Sequence, residues 1–208
     1  MINLSSASAV NPLIAILRGL KPENAAPVSS ILIDAGFRII EVPLNSPSPL
    51  ESISKISKEY CNEAIVGAGT VLTVDEVEAV ADAGGRLIVS PNMNPDVGRA
   101  AIKLGLYWCP GVMTPTEAIA ALEIGASVLK FFPAEMIPPS AIAAMQAVLP
   151  KHAAVAVVGG INTDNMRSYH DAGANWFGLG SALFKPDYSL DEVAKRACEF
   201  AMAVKRFK

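Results

Sequence analysis

The sequence predicts an α/β chain folded as one (β/α)8 TIM barrel, a single domain over residues 1–208. Three observations predict it: a glycine that recurs at a near-constant interval, eight short apolar runs, and helix-like stretches between them. The segments DAGF (34–37), DAGG (82–85), KLGL (103–106), EIGA (123–126) and DAGA (171–174) each follow an amphipathic run and precede an apolar one. Glycine at that place reads as a helix C-cap, because it alone takes the left-handed conformation without penalty. The glycines fall at 36, 84, 105, 125 and 173, with gaps of 48, 21, 20 and 48, one or two units of one length. The two missing punctuation points fit KEYCNEA (58–64) and LPKHAA (149–154).

The apolar runs, in order, are LIAIL (13–17), FRIIEV (37–42), AIVGA (64–68), RLIVS (86–90), LYWCP (106–110), SVLKFF (127–132), AVAVVG (154–159) and NWFGLG (175–180). Most are continuous in hydrophobicity, as parallel strands covered on both faces must be. The helical stretches between and after them are 22–35, 48–60, 74–83, 95–104, 115–124, 139–148, 163–172 and 190–206. Eight strand-then-helix units in 208 residues give a barrel at the short end of its size range. The alternative, an open doubly wound sheet, lacks its GxGxxG dinucleotide fingerprint after the first strand. Residues 1–11 are expected to be loose or to form a short leading helix.

Composition narrows the function. The formal net charge is −3 and no basic run exists, so a nucleic-acid surface is not expected. No stretch approaches the ~20 apolar residues of a membrane span. The N-terminus, MINLSSASAVNP, lacks the positive n-region of a signal peptide, so the cytoplasm is the default compartment. Cys61, Cys109 and Cys198 are scattered, and His152 and His170 have no ligand-spaced partner. Neither a disulfide framework nor a metal site is indicated, and His170 reads as an exposed helix residue.

Barrels do chemistry at the C-terminal ends of their strands. Three strands carry a lone charge there: Arg18 after IAIL, Glu41 within RIIEV and Lys130 within SVLKFF. A charge inside an apolar strand is costly unless it is paired or used. One reading is a buried ion pair that closes the barrel. The other is imine chemistry on a keto acid. Lys130 shares strand parity with Phe132, and apolar surroundings with a nearby cation such as Arg18 leave more free amine to attack a carbonyl. Glu41 can move protons, and Arg18 can grip a carboxylate with two parallel hydrogen bonds. VVGGIN (157–162) and GLGS (178–181) end the last two strands, where glycine turns let backbone N–H groups approach a phosphate. GAGT (67–70), which ends in Thr70, and SPN (90–92) complete the rim.

The segments IAILRG, IEVPLNSP, GAGTVL, VSPN, CPGVMTPTEA, LKFFPAE, AVVGGI and GLGS, in order over residues 12–184, resemble the 2-keto-3-deoxy-6-phosphogluconate / 2-keto-3-deoxy-6-phosphogalactonate aldolase family. The resemblance implies a cofactor-free class I aldolase, a trimer, acting on a phosphorylated keto acid. It implies that Lys130 forms the Schiff base and Glu41 is the general acid/base. Arg18 and Thr70 would hold the substrate carboxylate. Gly160, Gly180 and Ser181 would hold the phosphate, with Gly159 supporting the turn. Gluconate-type members carry an arginine in a VTLRT-like segment and a threonine before the glycine pair. This chain has VPLNS, with Asn45, and Val158 before Gly159, which are features of the galactonate branch. The readings that compete are a gluconate or 4-hydroxy-2-oxoglutarate aldolase, a sugar-phosphate epimerase, and a catalytically silent phosphate-binding barrel.

Overall fold

A computed structural model describes residues 2–207. The strands are β1 (Leu13–Ile16), β2 (Ile39–Pro43), β3 (Ile65–Gly69), β4 (Leu87–Val89), β5 (Tyr107–Cys109), β6 (Gly111–Val112), β7 (Leu129–Phe131), β8 (Val155–Val158) and β9 (Trp176–Leu179). All pairings are parallel, and the order is β5-β4-β3-β2-β1-β9-β8-β7-β6. The two ends of that order are adjacent in sequence. β5 and β6 are the halves of one barrel strand, parted at Pro110, which has no N–H to give a ladder. Bonds from Ser127 N to Trp108 O (2.8 Å) and from Lys130 N to Pro110 O (2.9 Å) join the two halves to β7's side. Among the described residues the barrel therefore has eight strand positions, each overlapping the apolar run that predicts it, while Pro43, Gly69 and the half-strand β6 lie just beyond the ends of their runs.

Among the described residues nine helices surround or cap this wall: α1 (Leu4–Val10), α2 (Ala25–Asp34), α3 (Pro49–Tyr60), α4 (Val74–Asp82), α5 (Pro95–Lys103), α6 (Pro115–Ile124), α7 (Pro139–Gln146), α8 (Met166–Asp171) and α9 (Leu190–Lys205). The five punctuating glycines all have φ between 70° and 108°, as helix-end glycines should. Helix starts are equally local. Thr73 with Glu76, and Thr114 with Glu117, form reciprocal capping boxes at α4 and α6. Residues 22–24, expected as the first turn of α2, form a separate 3-10 turn led by Pro22.

Strand parity divides the core. Leu13, Ala15, Ile40, Val42, Val66, Ile88, Trp108, Leu129, Phe131, Val155 and Val157 face the helices. Ile14, Ile39, Ile65, Leu87, Val89, Cys109, Val128, Ala156 and Trp176 form a second cluster inside the barrel. Ala7 of α1 joins that inner cluster, with Ile2 and Leu4 against it. The leading helix thus plugs the N-terminal mouth, and Arg86 donates to the Ile2 carbonyl at 2.8 Å to hold it. With the lower barrel filled by apolar side chains, polar chemistry is left to the opposite mouth.

Candidate active site

Register fixes what lines that mouth. Ile16 aligns with Glu41, and Gly111 with Lys130, so both charged side chains share the inward parity one layer above the apolar cluster. Glu41 is 2 % exposed and Lys130 6 %. They open into a cleft of about 590 Å³ lined also by Ile16, Arg18, Thr70, Phe132, Val158, Gly159, Gly160, Gly180 and Ser181. Every residue singled out from the sequence as catalytic or substrate-binding therefore meets at one cavity.

Lys130 is held from two sides. Its Nζ donates to the Ser90 carbonyl at 3.3 Å, so the rim segment SPN fixes the amine through backbone. The same Nζ lies 4.6 Å from the centroid of Phe132. Burial is the main cause that lowers its pKa. The carboxylate of Glu41 and then Cys109 oppose the shift, and Arg18 adds to it. Desolvation, rather than the Arg18 cation, is thus the chief source of free amine.

Glu41 shows the mirror effect. Burial raises its pKa from 4.5 to about 7, against the attraction of Lys130 and Arg18. Its Oε2 is buried without a hydrogen-bond partner. An unsatisfied buried carboxyl oxygen is costly in a resting protein and is free to bond a substrate. Room for it comes from Gly69 on β3, where any Cβ would overlap the carboxylate.

Arg18 stands exposed at the rim. It donates from Nη1 to Asn45 Oδ1 and from Nη2 to Thr70 Oγ1 at 3.4 Å. Asn45 is thereby a partner of the arginine and does not line the cleft itself. Thr70 adopts φ 59°, a left-handed conformation that a β-branched residue takes only when its surroundings impose it. Across the cleft, Gly159 and Gly160 have φ 101° and 67° and turn the chain after β8. Val158 packs onto bare Gly178. A Cβ there would lie 2.5 Å from Val158 Cγ2 and 3.3 Å from Ile16 Cδ1.

Several residues at the site have roles that the sequence motifs do not disclose, although Gly69 lies in GAGT, Gly178 in GLGS and Glu135 in LKFFPAE. Gly69 and Gly178 act by lacking a side chain, legible only once strand parity is known. Glu135 reaches the cleft from the 3-10 turn Ala134–Met136, Lys185 and Tyr188 from the loop after β9, and Arg196 from α9. Among the described residues no group of three or more His, Cys, Asp or Glu is placed to hold a metal ion.

A family model described as "Aldolase: KDPG and KHG aldolase" matches residues 5–196. A probable 2-dehydro-3-deoxy-6-phosphogalactonate aldolase of Rhizobium meliloti (strain 1021) is 53% identical over 186 residues, covering 89% of this chain and 88% of the relative. The 2-dehydro-3-deoxy-6-phosphogalactonate aldolase of Escherichia coli (strain K12) is 45% identical over 192 residues, 92% of this chain and 94% of that protein. A solved structure described as native KDPGal superposes with a TM-score of 0.93 at 44% identity, over 94% of this chain and 95% of that one. With the barrel, the buried lysine–glutamate pair and the glycine turns in register, the chain belongs to the KDPG and KHG aldolase family.

Proposed function

We propose that the chain is a class I aldolase that reversibly cleaves 2-dehydro-3-deoxy-6-phosphogalactonate into pyruvate and D-glyceraldehyde 3-phosphate. The observation that carries this reading is the pairing of a desolvated Lys130 amine with the unpartnered Oε2 of Glu41 in one cleft. A closed, charge-neutralised ion pair would leave neither group unpartnered.

Arg18 and Thr70 hold the substrate carboxylate at one end. Gly160, Gly180 and Ser181 hold the phosphate at the other, with Gly159 shaping the turn. Lys130 attacks the C2 ketone, and loss of water leaves an iminium. Glu41, directly or through a water, takes the C4 hydroxyl proton. The C3–C4 bond breaks, and its electron pair moves to the iminium and makes an enamine. Glyceraldehyde 3-phosphate leaves. The protonated Glu41 returns its proton to C3, and water hydrolyses the resulting iminium to free pyruvate and the Lys130 amine. The iminium is the electron sink, so no metal or other cofactor is needed. Chelators should leave turnover unchanged.

The galactonate preference rests on Val158, on Asn45 and on the names of the two relatives. A homotrimer is the proposed assembly. Leu72, Val74, Ile102, Leu104, Met113 and Ile119 are large apolar side chains left exposed on or beside α4, α5 and α6, with α5 packed against both of the others. Such a patch suits burial against another copy. Light scattering at micromolar concentration tests it, and a monomer mass would overturn it. The cytoplasm is the proposed compartment: the substrate is a charged phosphate, and all three cysteines are free thiols.

Borohydride trapping with pyruvate tests the central claim. The expected result is one pyruvate-derived mass on the peptide that contains Lys130, absent in Lys130→Ala. Label on another lysine, or undiminished label in the variant, would refute it.

A further inference from the structure

A phosphate monoester carries between one and two negative charges at neutral pH. The glycine turns after β8 and β9 answer it only with backbone dipoles. Full positive charge at that end of the cleft comes from Lys185, on the loop between β9 and α9, and from Arg196 of α9. The two are not equivalent. Arg196 pairs with Glu192 at 2.7 Å and donates from Nη1 to the carbonyl of Ala182, next to Ser181, at 3.1 Å. Lys185 has no ion pair among the described residues; its Nζ lies 5.4 Å from the ring centroid of Tyr188, and the Arg196 guanidinium lies 4.6 Å from the same centroid.

The loop is also seated. A Cβ on Gly19 would lie 2.6 Å from Pro186 Cγ, so Pro186 presses on the residue that follows Arg18. The loop that bears Lys185 is thus located against the strand end that bears Arg18. The opposite wall has the other sign. The side chain of Glu135 lies 3.1 Å and 2.6 Å from where Cβ atoms on Gly159 and Gly160 would be. An anion in the glycine turns is repelled on that side and attracted on the loop side.

We propose that Lys185 is the cation that recognises the substrate phosphate, with Tyr188 and Arg196 as its positioning platform. The site therefore demands a phosphorylated substrate by charge as well as by shape. This rests on the aldolase reading and extends it to residues outside the glycine turns.

The test compares two reactions of the same enzyme. Exchange of pyruvate C3 protons with deuterium uses Lys130 and Glu41 and involves no phosphate. Cleavage of the phosphorylated substrate uses both ends of the cleft. Lys185→Gln should exchange pyruvate protons at the wild-type rate and show a KM for cleavage raised about ten-fold or more, the scale of one lost hydrogen bond to a charged group. Competitive inhibition by inorganic phosphate should weaken in parallel, and Lys185→Arg should recover most of the loss. An unchanged KM, or an equal loss in proton exchange, would overturn the role of Lys185. A wild type that neither exchanges nor cleaves would instead overturn the aldolase reading itself.

Discussion

The carboxylate of Glu41 lies against the bare Cα of Gly69, where a Cβ would overlap its oxygens. Gly67, two residues earlier on the same strand face, is bare for another reason: its Cβ would overlap the backbone carbonyl of Leu87 on β4. The two glycines look alike in sequence and should fail differently.

Gly69→Ala should fold with nearly unchanged thermal stability and lose about 10²-fold or more in kcat, because the displaced group is the carboxylate proposed to transfer the proton. Gly67→Ala should lose stability, by roughly 1–3 kcal/mol, since backbone must move. Thermal melts read beside turnover separate the two. A Gly69→Ala protein that melts early with its specific activity intact would make Gly69 a packing residue only.

Glu41 ties activity and stability to pH. Its folded pKa of about 7 lies above its ordinary 4.5, because burial favours the neutral acid. Below pH 4.5 the group is protonated in both the folded and unfolded chain and costs nothing. As pH rises from 4.5 to about 7 the unfolded chain ionises while the folded chain keeps the proton, so stability falls across that window and levels off above 7, where the folded chain holds a buried carboxylate. A shift from 4.5 to about 7 corresponds to roughly 3 kcal/mol at the plateau. Glu41→Gln should therefore gain stability over wild type at pH 8 and not at pH 4.5, while losing most turnover. If cleavage needs the carboxylate, wild-type kcat should rise through pH 7. A pH-independent stability difference between the two proteins would refute the raised pKa.

Asn45 should act through Arg18. Asn45→Ala removes the acceptor at Nη1 and leaves only the longer bond to Thr70. The freed guanidinium samples more conformers, so the KM for pyruvate in the synthetic direction should rise about 3- to 10-fold, the cost of one hydrogen bond. Lys130 should still be trapped with borohydride at saturating pyruvate. An unchanged KM would show that Asn45 does not position Arg18.

The barrel was legible because each of its signals is local. Glycine at a helix end, capping residues and apolar runs report on their own few neighbours, and five positive-φ glycines mark five unit boundaries. Lys130, Glu41 and Arg18 were legible because a charge in an apolar strand conflicts with its surroundings. What stayed hidden depends on contacts between strands. The bareness of Gly69 and Gly178 has meaning only beside Glu41 and Val158. The partnership of Asn45 with Arg18 spans 27 residues. Lys185, Tyr188 and Arg196 sit in an ordinary surface-like charge pattern, and only the path of the last loop brings them to the cleft. The break of the fifth barrel strand at Pro110 carried a signal in the proline itself, but LYWCP reads as unbroken up to that point.

The last prediction concerns the configuration at C4. The two candidate phosphorylated substrates differ only in the side to which the C4 hydroxyl points as the C3–C4 bond breaks. Val158 lines the cleft at 6 % exposure, and its methyl groups are wedged onto bare Gly178 beside Ile16. It cannot swing away, and it offers no hydrogen bond. A hydroxyl directed at it is left without a partner, which costs about 1–3 kcal/mol. That corresponds to roughly a 5- to 150-fold preference for the epimer whose hydroxyl points elsewhere. The wild type should therefore show the higher kcat/KM on the galactonate epimer. Val158→Thr has nearly the same volume and fits the same wedge, yet it supplies a hydroxyl to that wall. It should raise kcat/KM on the gluconate epimer, leave pyruvate trapping at Lys130 unchanged, and so narrow the ratio between the two substrates. Side-by-side cleavage of both epimers by both proteins decides it. Equal wild-type rates, or a ratio that Val158→Thr does not move, would remove Val158 as the discriminating wall.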